Sequence, residues 1–470
     1  VTIWPEVVRQ EVSELHRFIE PLERFCTEIR ADYPVYGETS REFFKHIGEL
    51  GQKSLSYLES LPEQILRAKY PQIAASKRQK LFQLKSDWER LHEYIRPALD
   101  ADTLHLPMPL ISALNDRLRE TPDWRSFRFT LFHAAEVNYF EVPSSIVRRA
   151  ADGIASQIGG KPFPKTLGLI GIPYSQADGI FLNCSLAHEM GHFIFQEKVL
   201  ALAQGKIDDA LERMVSDIGK PLAYEELTLC QERIGSWTEE TFCDLFAICL
   251  IGPAFSFAFS QLMTASILIE SAAGQPEVFY LYGQYHPASV ARFRAHQRLL
   301  EKLGWWKEIQ GWASAPVEVL RLCAGAASQF KVQADLPRED LEARLLSCYD
   351  ELCSWLIDFV PSRVKGHVND VADFHDQSPI IAEYLRRAIV PSTIIVQGKI
   401  VHPRPVVLIN AGYQFLLEKF SLLLENIEGE KPNSIESRSR LSARLELWLL
   451  KALEDHQLLT KGVSNHGSIT

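Results

Sequence analysis

Apolar residues in the opening stretch of the chain recur at alternating steps of four and three: Val8, Val12, Leu15, Ile19, Leu22, Cys26 and Ile29. That is the spacing of one helix face packed against another helix. Leu81, Leu84, Trp88, Leu91 and Ile95 repeat it. Pro21 is expected to kink the first helix or start a new one, and Gly51, Pro62 and Pro71 to mark breaks between helices. An N-terminal helical region is predicted, serving as a structural cap on the middle of the chain or as a surface for a protein partner.

Between about 126 and 183 the runs shorten and Gly, Pro and Asp-Gly punctuate them. Leu167 to Ile172 and Ile180-Phe181-Leu182 read as strands, with a turn over Ser175 to Gly179. A small sheet should therefore precede a helix beginning near Ser185, capped by Asn183 or Ser185. Beyond residue 305 helices dominate, interrupted by a hairpin at Ile394-Ile395-Val396, Gln397-Gly398 and Lys399-Ile400-Val401. Glu428 to Ser437, with Pro432, reads as a loop before a last helix ending near Leu459, and Gly462 to Thr470 as a frayed end.

Leu245 to Ile269 carries no formal charge and is long enough to cross a bilayer. Gly252-Pro253 interrupts it, and Ser256, Ser260, Gln261 and Thr264 punctuate it. Two buried helices meeting at the Gly-Pro break account for it better than a membrane span.

Composition narrows the function classes. The chain has 470 residues, 46% hydrophobic and 23% charged, which suits a globular protein of two or three lobes. A formal charge of −10 excludes a mainly nucleic-acid-binding role, since phosphate recognition needs a basic face. Arg438, Arg440 and Arg444 read as the solvated face of a helix. The eight cysteines form no CxxC and no paired framework, and no secretory signal opens the chain. The expectation is reduced, mostly buried thiols in a cytoplasmic protein. The chain opens at Val1, so the native start could have been trimmed.

The chemistry is concentrated in His188-Glu189-Met190-Gly191-His192. Residues four apart share a helix face, so both imidazoles can converge on one metal ion while Glu189 faces the same cleft. With 14 histidines present, the pattern needs support from a third ligand. Glu240 can supply it, and Asp244, one turn later, can accept a hydrogen bond from the far nitrogen of a ligating histidine. Cys243 and Cys249 read as apolar packing. His367, Asp370, Asp373, His375 and Asp376 cluster in sequence but match no ligand scheme, and read as a polar loop and helix start.

HExxH followed by ExxxD resembles the gluzincin zinc metallopeptidases. His286-Pro287-Ala288-Ser289-Val290-Ala291-Arg292 is similar to the HPxxxxR element of CAAX-prenyl-type metalloproteases, whose members carry membrane helices not expected in this chain. The resemblance covers roughly residues 165 to 300. It implies zinc held by His188, His192 and Glu240, with Glu189 as general base and Asp244 supporting a ligand. It implies more loosely that His286 stabilises an oxyanion and Arg292 holds the local fold. Tyr282 and Tyr285 are alternative oxyanion donors.

The fold expected is mainly α with a small β-sheet (α+β). A zincin-like core at 126–305 would lie between helical regions at 1–125 and 306–470. The function expected is zinc-dependent hydrolysis of a protein or peptide substrate, whose backbone could pair with the open edge of the 167–172 strand. The alternative is a zinc-stabilised, catalytically silent binding or scaffold module, against which Glu189 counts because it is not a ligand.

Overall fold

The computed structural model describes residues 3–32, 38–68, 71–100, 106–134, 140–141, 144–173, 179–218, 222–272, 281–312, 314–325, 331–332, 339–364, 369–421, 423 and 435–466. It is mostly helical with small sheets. The chain divides into two compact units, residues 1–108 with 127–177, and residues 109–126 with 178–470.

In the first unit, helices α1 (Ile3–Asp32), α2 (Glu38–Leu66) and α3 (Pro71–Asp100) form a helical layer. The seam read from the sequence is its core. Val8, Val12, Leu15, Ile19, Leu22 and Cys26 of α1 are buried together with Leu81, Leu84, Trp88 and Leu91 of α3. The side chains of Ile29 and Ile95 lie outside the described residues. One expectation about breaks is corrected: Gly51 and Pro62 lie within α2 rather than between helices, while Pro71 begins a helix as expected; Pro21 lies within α1 and starts no new helix. Gly51 packs against Glu23 of α1, where an added Cβ would come within 2.8 Å of the Glu23 side chain, so its role is close helix approach rather than termination.

Helix α4 (Met108–Arg119) belongs almost wholly to the second unit; after it, strand β1 (Arg128–Ala134), strand β2 (Phe140–Glu141), helix α5 (Ser144–Ile158) and strand β3 (Leu167–Pro173) complete the first unit. The sheet order is β1-β3-β2. β3 runs parallel to β1 from Leu167 opposite Arg128 to Pro173 opposite Ala134, and antiparallel to β2 at Ile170 and Gly171. The 167–172 strand is thus central in its sheet, which corrects the expectation of an open edge for substrate.

The second unit is built on α8 (Tyr224–Ile251), whose second half is buried on all sides. Around it in chain order are α6 (Leu186–Ile194), α7 (Leu200–Ile218), α9 (Pro253–Ala272), β4 (Leu281–Tyr282), α10 (Ser289–Lys302) and α11 (Trp305–Ile309). Next come α12 (Ala315–Gly325), β5 (Lys331–Val332), α13 (Glu339–Arg363), α14 (Asp370–Arg386), the hairpin β6 (Ile394–Val396) and β7 (Lys399–Val401), and α15 (Pro405–Gln414). The last helix spans Ile435–His466, so residues 462–466 are helical rather than frayed; Pro432 and the rest of 424–434 lie outside the described residues. Arg438, Arg440 and Arg444 are exposed on that helix.

The Gly-Pro break falls where the sequence placed it. Gly252 ends α8 with φ 68°, and an added Cβ there would meet the Trp305 ring at 3.1 Å. One side chain satisfies both helix ends. Asn410 Oδ1 accepts from Ala254 N at 2.9 Å, and its Nδ2 donates to Ile251 O at 2.8 Å. No helix among the described residues is long and apolar enough to cross a membrane.

Ile180 and Phe181 are not a strand. Their backbone N–H groups donate to the Glu446 carboxylate, and the chain bends into a 3-10 turn at Leu182–Ser185 that leads directly into α6. Neither expected cap forms: the Ser185 hydroxyl donates to Leu182 O and the Asn183 amide to Gly179 O. The α6 donors are served instead by continuity with the 3-10 turn. Of the expected turn, residues 175–178 lie outside the described residues.

Candidate metal centre

The centre lies where α6 and α8 run antiparallel. His192 faces the 239–240 end of α8 while His188 faces Asp244, one turn on. The close approach is set by Gly191, at which an added Cβ would stand 2.8 Å from Cys243 Cα. α6 passes directly into a π-helical turn at Phe195–Val199, a widening common at functional sites.

Each imidazole is held from behind. His188 Nδ1 donates to Asp244 Oδ1 at 2.9 Å, and His192 Nδ1 donates to Glu239 Oε1 at 3.0 Å. Those bonds commit both Nδ1 atoms and leave the Nε2 atoms facing Glu240. His188 Nε2 lies 3.5 Å from Glu240 Oε2, and His192 Nε2 lies 3.7 Å from Glu240 Oε1. The rings stand nearly perpendicular, with centroids 4.9 Å apart, and Phe255 stacks on His188.

These separations are long for hydrogen bonds. They are close to the roughly 3.3 Å that separates two ligands of a tetrahedral ion bound at about 2.0 Å. Glu240 Oε2 is buried and accepts no hydrogen bond among the described residues. A buried carboxylate with one oxygen towards each of two inward-facing imidazole nitrogens fits a cation, and His/His/Glu is a donor set suited to zinc.

Cys243 also comes within ligand reach, for donor atoms of His188, His192 and Cys243 lie within 4.8 Å of one another. The sequence reading places this thiol beside Asp244 near the proposed metal and assigns it to apolar packing rather than to the ligand set. We favour Glu240 over Cys243 as third donor because both free Nε2 atoms face its carboxylate. Burial, with the carboxylates of Glu239 and Glu240 nearby, also pushes the Cys243 thiol well above its ordinary pKa.

The charges are strongly coupled. Burial pulls His188 towards neutrality, but its hydrogen bond to Asp244 and the negative charge of Glu240 outweigh it and raise its pKa to about 10. Burial pushes Glu240 up, and His188 together with Arg292 reverses this to about 2. Asp244, likewise buried, is held well below the usual carboxylate range by Arg292.

Arg292 explains how α10 joins the site. Its Nε donates to Asp244 Oδ2 and its Nη2 to Asp244 Oδ1, both at 2.6 Å, and Nη2 is 3.3 Å from Glu240 Oε2. His296, one turn beyond on α10, is fully buried with Nε2 at 3.1 Å from Asp244 Oδ2. His286 lies at the open side, 64% exposed, with Nε2 3.5 Å from Glu240 Oε1. Its loop is fixed by Trp237 Nε1 donating to Gly283 O and by Gly283 N donating to His286 O.

Glu189 is half-buried beside His188 on α6. Tyr282 is buried between Trp237 and Tyr349 and belongs to the support of α8, whereas Tyr285 is exposed next to His286.

Sequence reading missed Glu239 and His296. Glu239 sits beside the predicted ligand with no motif of its own, and His296 is signalled only by its four-residue step from Arg292. Among the described residues, the later acidic cluster makes ion pairs rather than a ligand group. Asp370 pairs with Arg117 and Arg404, Asp373 with Arg404, and His375 with Glu308, while His367 lies outside the described residues.

No known protein-family model matches the chain, nor does any curated protein or solved structure.

Proposed function

We propose that the second unit carries a gluzincin-like zinc centre that hydrolyses peptide bonds, with His188, His192 and Glu240 holding the ion. The observation that carries this reading is the pair of Nε2 atoms facing one buried carboxylate, while both Nδ1 atoms are tied to acids. A bound zinc would supply Lewis-acid activation of a water and a carbonyl oxygen.

The chain's own residues supply the rest. Glu189, adjacent to His188 and not needed as a ligand, takes a proton from the attacking water and returns one to the leaving amine. His286, at the exposed side of Glu240, is placed to donate to an oxygen that gains charge in the transition state. Asp244 and Glu239 fix which imidazole nitrogen carries the proton, and Arg292 neutralises the carboxylates behind the ligands. The centre combines a helix bearing HExxH with a second helix bearing the third ligand, which supports a zincin-like core. The reading does not require a particular cellular compartment.

Elemental analysis of the chain purified without added metal tests the ion, with about one zinc per chain expected for one three-ligand site. Glu189→Gln tests the reaction. It should abolish hydrolysis of a general peptide substrate and leave zinc content and thermal stability unchanged, because it removes a base without touching a ligand. A folded chain that refuses zinc would remove the centre. Undiminished hydrolysis by the Gln variant would remove the mechanism.

A further inference from the structure

We infer that His296 is a positioning residue of the metal centre, acting through Asp244 to hold His188 in its ligating orientation. The inference rests on the zinc reading above and extends it to a residue outside the HExxH, ExxxD and HPxxxxR patterns.

A carboxylate has about four lone-pair sites, two on each oxygen. At Asp244 four nitrogens approach them. Oδ1 receives His188 Nδ1 at 2.9 Å and Arg292 Nη2 at 2.6 Å. Oδ2 receives Arg292 Nε at 2.6 Å and has His296 Nε2 in close contact at 3.1 Å, short of a formed hydrogen bond. Arg292 alone already grips both oxygens in a bidentate fork, so charge neutralisation does not require a fourth group. The fourth group closes the remaining side of Oδ2 and prevents the carboxylate from rocking about the guanidinium. A fixed Oδ1 in turn fixes the His188 ring.

The surroundings of His296 point the same way. Its ring is fully buried among Phe255, Phe259 and Phe293, with centroids at 5.4, 5.2 and 5.7 Å. An apolar side chain would fill such a box at less desolvation cost than an imidazole, so stability does not account for histidine there. Phe255 also stacks on His188, with an interplanar angle of 8°. His296 thus adjoins both groups that orient the ligand, one polar and one aromatic.

The test compares His296→Leu with His296→Gln, whose amide nitrogen reaches about as far as imidazole Nε2. Zinc affinity is read by competition with a chromophoric chelator, and melting of the metal-free chain by circular dichroism. His296→Leu should bind zinc about tenfold more weakly, the low end for losing an outer support of a ligand. Metal-free melting should be unchanged or raised, and His296→Gln should recover most of the affinity. Should the Leu variant fail to fold, His296→Asn takes its place, since its shorter amide falls short of Oδ2. Unchanged zinc affinity in the Leu variant, a Gln variant as weak as Leu, or a parallel loss of metal-free stability would overturn the assignment. A wild-type chain that takes up no zinc would overturn the metal centre itself, a separate result visible before any variant is made.

Discussion

His192 is gripped at its two nitrogens by adjacent glutamates: Nδ1 bonds Glu239 at 3.0 Å, while Nε2 looks towards Glu240 at 3.7 Å. One residue orients the ring and its neighbour shares the proposed cation site. Glu239 is itself fixed by Gln196 Nε2, which donates to its second oxygen at 2.9 Å.

The two glutamates should therefore separate by degree. Glu240→Ala should lose stoichiometric zinc, whereas Glu239→Ala should keep it with affinity lowered roughly 10- to 100-fold, the usual cost of removing a ligand's hydrogen-bond partner. Chelator competition on both variants checks this. Stoichiometric zinc in Glu240→Ala alongside its loss in Glu239→Ala would exchange their roles.

Gly191→Ala should destabilise the second unit in spite of alanine's better helix propensity. The propensity gain is at most about 1 kcal/mol. The new methyl would stand 2.8 Å from the Cys243 backbone, which cannot yield as a flexible side chain would, and overpacking of this kind costs about 1–3 kcal/mol. Denaturant melts should show the loss. Equal or greater stability would mean that α6 and α8 can separate freely.

Metal-free protein should show a pH signature of His188. Its folded pKa is raised from 6.5 to about 10, because the hydrogen bond to Asp244 and the charge of Glu240 outweigh burial. The stabilisation from this proton is complete below about pH 6.5 and is lost as pH rises through about 10. Metal-free Tm should accordingly fall across that window. Zinc uptake near neutral pH should displace about one proton from this ring, so zinc affinity should rise with pH. Calorimetric titration in buffers of different ionisation enthalpy measures the proton count, and a count of zero would reject the coupling.

His286→Ala should slow peptide hydrolysis roughly ten- to a thousandfold, the span of general-acid and oxyanion-donor losses. The loss should fall mainly on kcat, because the interaction strengthens only in the transition state. Zinc content should not change, since His286 stands outside the His188–His192–Glu240 set. Steady-state kinetics decides: full activity would return His286 to a surface role and make Tyr285 the next donor to test.

What the sequence determined is what a single helix dictates. A four-residue step places His188 and His192 on one face, and the same step relates Glu240 to Asp244. The α1 seam and the Gly252-Pro253 break are equally local, because helix periodicity and the limits on proline and on positive φ act within a few residues. Tertiary structure decided what those faces meet. The antiparallel packing of α6 on α8 assigned Asp244 to His188 and Glu239 to His192. The arrival of α10 brought Arg292 and His296 to Asp244. Glu446, distant in sequence, took the backbone donors that would have made Ile180-Phe181 a strand. Spacing along one helix carries no information about such partners, because hydrogen bonds and ion pairs between elements depend on how separate faces pack, and each face is compatible with many neighbours.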